Sequence, residues 1–187
     1  MYVLNESIQN NNVEQLIETC KSGSMSMGYI LRTAHYQLGE LIAEPISKAS
    51  NQQKNYAVLI LMRAGLCFGN GIADKLEQLG SNASIIFVYD DKVSNEDLEL
   101  IKDKDIIIVD AVINSGKSVF DLIDQLPDTT SVKLATTVIP SSSTELLESY
   151  DLYTVRVSNN KYEGAKVQVI SGGKGPDTGD RLFNTYE

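Results

Sequence analysis

The sequence predicts an α/β fold, a mostly parallel sheet flanked by helices. Three observations predict it. Apolar-rich runs recur at 56–62, 84–89, 106–109 and 132–139, and the four branched aliphatics at 106–109 show no polar face, as a strand covered on both sides does. Segments of helical period separate them, and that alternation implies right-handed crossovers between parallel strands. The chain of 187 residues is long enough to bury a sizeable core, and 42% hydrophobic with 22% charged residues is ordinary for a soluble α/β protein. One domain over 1–187 is expected, with 1–27 a helical N-terminal extension.

Taken in order, 1–12 is polar and carries no apolar signal core. Residues 13–20 read as a short amphipathic helix, and 21–27 as a Gly/Ser break. Gly28–Ala49 is helical by period, with Ile30, Leu31, Ala34, Leu38, Leu41, Ile42 and Ile46 as its apolar positions. Pro45 is expected to kink it or end its first part. After strand 56–62, Arg63-Ala64-Gly65-Leu66 makes a turn, and 69–79 reads as a helix stopped by Gly80. Strand 84–89 leads into a charged stretch, 90–104, that reads as a loop with some helix. Strand 106–109 is followed by a helix ending near Leu126, before Pro127. After strand 132–139, Ser-Ser-Thr-Glu looks like a start signal for a helix over 142–150. Strands at 152–157 and 166–170 close the sheet, and a glycine-rich tail follows.

Charge and cysteine usage exclude several classes. A net charge of -9 argues against broad binding to nucleic acid or anionic membranes, so any anion site must be local. No apolar run reaches transmembrane length. Cys20 and Cys67 are too few for a disulfide framework, and with the single histidine, His35, they do not compose a zinc site. A reduced, cytoplasmic setting fits. His35 reads as a helix-face residue rather than a catalytic one.

The most informative stretch follows the 106–109 strand: Asp110-Ala111-Val112-Ile113-Asn114-Ser115-Gly116-Lys117-Ser118. Small residues at a strand-to-helix turn leave backbone N–H groups and a helix dipole pointing at a phosphate. An acid beside such a nest suits a sugar phosphate. Three readings stay open at this point: the loose A-x-x-x-x-G-K-S form of a P-loop, the ribose-phosphate loop of phosphoribosyltransferases, and an ordinary strand-to-helix turn. A second segment, Arg63-Ala64-Gly65, places a cation and exposed N–H groups at a strand end, which suits a diphosphate. The third is the tail, Gly172-Gly173-Lys174-Gly175-Pro176-Asp177-Thr178-Gly179-Asp180-Arg181-Leu182-Phe183-Asn184-Thr185, where glycine lets backbone approach a flat ligand closely.

Together these segments resemble the uracil phosphoribosyltransferase family. Ile60-Leu61-Met62-Arg63-Ala64-Gly65-Leu66 is similar to its diphosphate loop, with one extra residue before the arginine. Val109 to Ser118 is similar to its ribose-phosphate loop in length and in the Asp, Ser-Gly and Ser positions. Gly173 to Thr185 resembles its uracil-binding tail, with Gly-Asp-Arg-Leu-Phe as the best match. Leu31-Arg32 and 38–44 look like its first long helix. The resemblance runs from about Gly28 to the end and implies a type I phosphoribosyltransferase-like sheet under a small hood made by the N- and C-terminal segments.

The resemblance also implies an activity: transfer of 5-phosphoribose from phosphoribosyl diphosphate (PRPP) to uracil, giving UMP and diphosphate. Arg63, Ala64 and Gly65 would hold the diphosphate, and Asp110 the ribose hydroxyls. Asn114, Ser115, Gly116, Lys117 and Ser118 would cradle the 5-phosphate. Ser171, Gly172, Pro176, Asp177 and Thr178 would meet the uracil, with Asp177 also near the diphosphate. Catalysis would rest on Asp110, Arg63 and Asp177. Mg2+ would arrive with PRPP rather than on a direct protein site, and the protein would be a homodimer. The sequence departs from the family in several places. The family has an arginine after strand 84–89, whereas here Asp90 and Asp91 follow Tyr89. The family's flexible hairpin is shortened to 90–104, Ala111 stands for a proline, and Cys67 and Asn70 stand for a Gly and an Asp. Lys117 is an added cation. Pro176 stands where the family has a glycine, and proline has no N–H to give a uracil carbonyl. Two other readings therefore stand beside uracil transfer: a phosphoribosyltransferase for another base, and a non-catalytic PRPP or nucleotide sensor on the same fold.

Overall fold

A computed structural model of the chain describes residues 1–50, 53–127, 131–159 and 177–185. In chain order the elements are β1 (Tyr2–Val3), α1 (Leu4–Ser7), α2 (Asn11–Cys20), a 3-10 turn at Ser22–Ser24, α3 (Gly28–Ala49), β2 (Asn55–Leu61), α4 (Leu66–Gln78), β3 (Asn82–Val88), α5 (Asn95–Ile101), β4 (Asp105–Val112), α6 (Lys117–Ile123), β5 (Val132–Pro140), 3-10 turns at Ser141–Ser143 and Glu145–Leu147, β6 (Asp151–Ser158) and α7 (Thr178–Phe183). The six strands form one sheet in the order β1-β6-β5-β4-β2-β3. Every pairing in it is parallel.

The inner strands β2 and β4 are buried on both faces, and their side chains alternate between two cores. Tyr56, Val58, Ile60, Ile107 and Val109 pack with α2, α3 and α4 on one face. Ala57, Leu59, Ile106, Ile108, Val119 and Leu122 pack on the other, with α6. β4 lies at the centre of the sheet, and its four aliphatics are fully buried.

Helices α3 and α4 cross with their backbones in contact. A Cβ on Gly39 would lie 2.2 Å from the Phe68 carbonyl oxygen, and one on Gly71 would lie 2.0 Å from that of Tyr36. Only glycine permits this approach.

Three expectations are corrected, and one in part: Pro45 does not end α3, which continues to Ala49. The stretch after β5 is two 3-10 turns instead of a helix over 142–150. Of its apolar side chains Leu147 is buried while Leu146 is 55% exposed, too little apolar surface to hold a regular helix against the sheet. The N-terminal extension is not purely helical: Tyr2 and Val3 add a strand beside β6, opposite Tyr153 and Thr154. α6 stops at Ile123, and the chain turns before Leu126. The strand expected at 166–170 lies outside the described residues. Among the described residues no helix is long and apolar enough to cross a membrane.

Candidate active site at the carboxyl ends of β2 and β4

In an open parallel sheet ligands bind at the carboxyl ends of the strands. β2 and β4 are neighbours, with Ile60 beside Val109, so the Arg63 turn and the Asp110 loop emerge side by side. The turn is closed by the Gly65 N–H donating to Leu61 O at 3.0 Å and the Leu66 N–H donating to Arg63 O at 3.2 Å. The Met62–Arg63 peptide is cis. A Cβ on Gly65 would stand 2.8 Å from Val109 O, so Gly65 is what lets the turn lie against β4 one residue before Asp110. Ala64 is partly buried in the same turn.

Asp110 sits beside Thr136 of β5. The chain beyond it is pinned: the Thr136 and Thr137 hydroxyls donate to Ala111 O at 3.2 and 2.5 Å. Burial pushes the Asp110 carboxyl up to about 7 and nearby Asp91 pushes it the same way, while backbone N–H groups of Val112 and Ala111 pull it down. A cation placed beside it would draw it back to the carboxylate form.

The loop that follows carries Asn114 and Ser115 exposed and Ser118 partly buried. Gly116 takes the left-handed conformation, φ 76°, immediately before α6. The Lys117 N–H donates to Ser115 Oγ at 3.4 Å, and the Ser143 hydroxyl donates to Asn114 O. The Lys117 ammonium pairs with Asp121 one turn along α6 and is 78% exposed. This loop gathers backbone N–H groups, hydroxyls and one cation at the strand end next to the Arg63 turn.

The stretch after β3, where the family places an arginine, is a tight two-residue hairpin. Asp90 and Asp91 have φ of 51° and 55°, and Tyr89 bridges to Lys92, the pattern of a type I′ turn. Gln125 holds it, accepting from the Val93 N–H at 3.1 Å and donating to Asp91 O at 2.7 Å.

The tail reaches this site through α7. Asp177 is exposed and caps α7, accepting from the Asp180 N–H at 2.7 Å, and Thr178 is partly buried behind it. Ser171, Gly172 and Pro176 lie outside the described residues. Sequence reasoning missed three residues here. Asp180 and Thr185 bond Arg63 directly. Arg181, 4% exposed, donates to the carbonyls of Cys20, Lys21 and Ser26, fastening α7 to the linker before α3. The signal was present in Gly-Asp-Arg-Leu-Phe, where two charges lie inside an apolar, packed end.

His35 is 1% exposed, and among the described residues neither ring nitrogen has a hydrogen-bond partner. Burial, helped by the charge of Arg181, lowers its pKa to about 4. The group is therefore less easily protonated folded than unfolded. Its neutrality supports the fold above pH 6.5, and that support is lost as pH falls toward 4. His35→Leu is expected to remove this loss, roughly 3 kcal/mol across the window, and to add about 1–2 kcal/mol near neutrality by deleting two unsatisfied polar atoms. Urea unfolding from pH 4 to 8 checks it; identical pH slopes for the two proteins would sink the assignment.

Comparison with known proteins places this geometry. The family description of uracil phosphoribosyltransferase matches residues 24–185. A search of curated protein sequences finds no match. The hypoxanthine-guanine phosphoribosyltransferase of Schistosoma mansoni, solved in complex with IMP, is 19% identical over 72% of this chain and 66% of its own, with a TM-score of 0.47. A hypothetical protein from Neisseria gonorrhoeae with bound ppGpp is 15% identical over 70% of this chain and 81% of its own, with a TM-score of 0.49. The chain thus spans just under two thirds of the Schistosoma protein. The family match takes in both strand-end loops, the long helix α3 and the tail helix α7, and on that span the chain belongs to the uracil phosphoribosyltransferase family.

Proposed function

We propose that the protein transfers the 5-phosphoribosyl group of PRPP to N1 of uracil, releasing diphosphate and forming UMP. The observation that carries this reading is the meeting of the Arg63 turn and the Asp110 loop at adjacent strand ends, in a chain whose family match covers both. The bond from C1 of ribose to the diphosphate oxygen breaks, a bond from C1 to N1 forms, and the N1 proton is lost to solvent. Arg63, with the N–H of Ala64, takes the diphosphate and stabilises its charge as it leaves, while Gly65 gives the turn its shape against β4. The loop from Asn114 to Ser118 holds the 5-phosphate. Asp110 takes the ribose hydroxyls and offsets positive charge growing at C1. The chain's contribution is positioning and charge stabilisation.

Magnesium fits this site as a companion of the substrate. It would arrive with PRPP, held largely by the substrate's oxygens and water, with Asp177 near it. When bound with PRPP it neutralises diphosphate charge. Asp177, Thr178, Ser171, Gly172 and Pro176 would meet the base. A homodimer in the cytoplasm completes the reading; the two free thiols, Cys20 and Cys67, accord with that compartment.

UMP formation from uracil, PRPP and magnesium is the expected result, with cytosine, hypoxanthine and orotate run in parallel giving none. Product with another base would replace uracil and leave the transferase. Stabilisation by PRPP without any product would make the protein a sensor.

A further inference from the structure

The Arg63 guanidinium is held by two residues that no part of the reading above assigns a role. Its Nη1 donates to Thr185 Oγ1 at 2.8 Å and its Nη2 donates to Asp180 Oδ1 at 2.9 Å. The Thr185 hydroxyl donates in turn to the same Asp180 oxygen at 2.9 Å, closing a three-membered ring of bonds. The partners come from 117 and 122 residues away in the chain.

The acceptor side of this ring is fixed. The Asp180 N–H is capped by Asp177, and the Thr185 N–H donates to Asp180 O at 3.2 Å. The next residue, Arg181, is buried and fastened to the linker before α3. Arg32 of α3 donates to Leu182 O at 2.8 Å. α7 is thus tied down immediately after Asp180, at Arg181 and Leu182. The hydrogen bond from Thr185 is the main cause that lowers the Asp180 pKa below its ordinary value, with Arg63 contributing.

Arginine has five N–H donors in a rigid fork. The ring uses two of them, and three remain for an oxyanion. A long side chain that is 46% exposed would otherwise sample many rotamers, and ordering it on binding costs affinity. We propose that Asp180 and Thr185 are positioning residues that aim Arg63 at the diphosphate of the substrate before it arrives. This rests on the proposed PRPP site and adds to it the tail residues that set the arginine's direction. The opposite role, a carboxylate that blocks Arg63, predicts the opposite sign when it is removed.

The experiment is calorimetric titration of the full chain with PRPP and magnesium, without base, followed by steady-state kinetics. Variants are Asp180→Asn, Asp180→Ala and Thr185→Val. The aligned ring predicts PRPP affinity about tenfold weaker in Asp180→Ala and a smaller loss in Asp180→Asn and Thr185→Val, which each keep part of the ring. KM for PRPP rises in step, while KM for the base stays unchanged. Thr185→Val leaves the Asp180–Arg63 pair in place and keeps the test open if Asp180→Ala does not fold. Equal or tighter PRPP binding in folded Asp180 variants overturns the positioning role. Equal rises in both KM values, with a lower melting temperature, overturn it in favour of a structural tie. No PRPP binding by the wild type overturns the site itself, and the inference with it.

Discussion

Asp110→Asn is expected to lower transfer by about 10²-fold or more, on the scale of removing one group that stabilises transition-state charge, and at the same time to make the protein more stable above pH 7. The two effects have one cause. Burial and the neighbouring Asp91 raise the Asp110 pKa to about 7, so the folded state binds a proton that the unfolded state has released. A raised acid costs stability as pH climbs from about 4 through 7, by at most roughly 4 kcal/mol from a shift of about three units. Asparagine keeps the shape and carries no charge, so the cost disappears. Below pH 4 the two proteins should be equally stable. The measurement pairs UMP formation at pH 8 with urea unfolding from pH 4 to 8. Retained activity would remove Asp110 from the ribose site, and equal stability at pH 8 would show that its carboxylate is well solvated. The His35 slope runs the other way over pH 4 to 6.5, so the wild type shows the near-cancellation of two terms. Each single variant should expose the slope of the group that remains.

The second large effect is structural. Gly71→Ala is expected to cost more than about 3 kcal/mol or to abolish folding, because overpacking against backbone cannot be relieved by a rotamer change. Its added Cβ would fall 2.0 Å from Tyr36 O, and the matching Gly39→Ala would fall 2.2 Å from Phe68 O. The helices would have to move apart. In a chain of this length such a loss lowers the melting temperature by roughly 6–12 °C. Gly23→Ala is the control, since nothing lies within 4 Å of its added carbon. A melting temperature for Gly71→Ala within a degree of the wild type would show that the crossing is looser than described.

Much of this was legible in the residues. The bounds Gly28–Ala49 were readable from the helical period of their apolar residues, and the central strands because burial on both faces leaves an aliphatic run. The Arg63 turn and the Asp110 loop were readable because strand-end chemistry is local. What escaped was long-range. β1 is two residues, Tyr2 and Val3, too short to show a period, and it exists only because β6 offers it an edge. The 3-10 turns after β5 defeated a good helix-start signal because their serines bond elsewhere, Ser143 reaching back to Asn114. Ile30 fits the apolar stripe of α3 yet is 62% exposed. The grip of Asp180 and Thr185 on Arg63 joins residues more than a hundred positions apart, which no local pattern encodes.

The contact of α3 with α4 has a mechanical consequence. Side-chain packing yields under load because rotamers can readjust; two backbones touching through glycine have no such compliance. α4 begins immediately after Gly65, so the turn carrying Ala64 and Gly65 runs directly into a helix held by that contact. The Arg63 side chain reaches from this turn to Asp180 and Thr185. Amide exchange should therefore be slow along the α3–α4 crossing, and slower there than in the hairpin at Asp90 and Asp91.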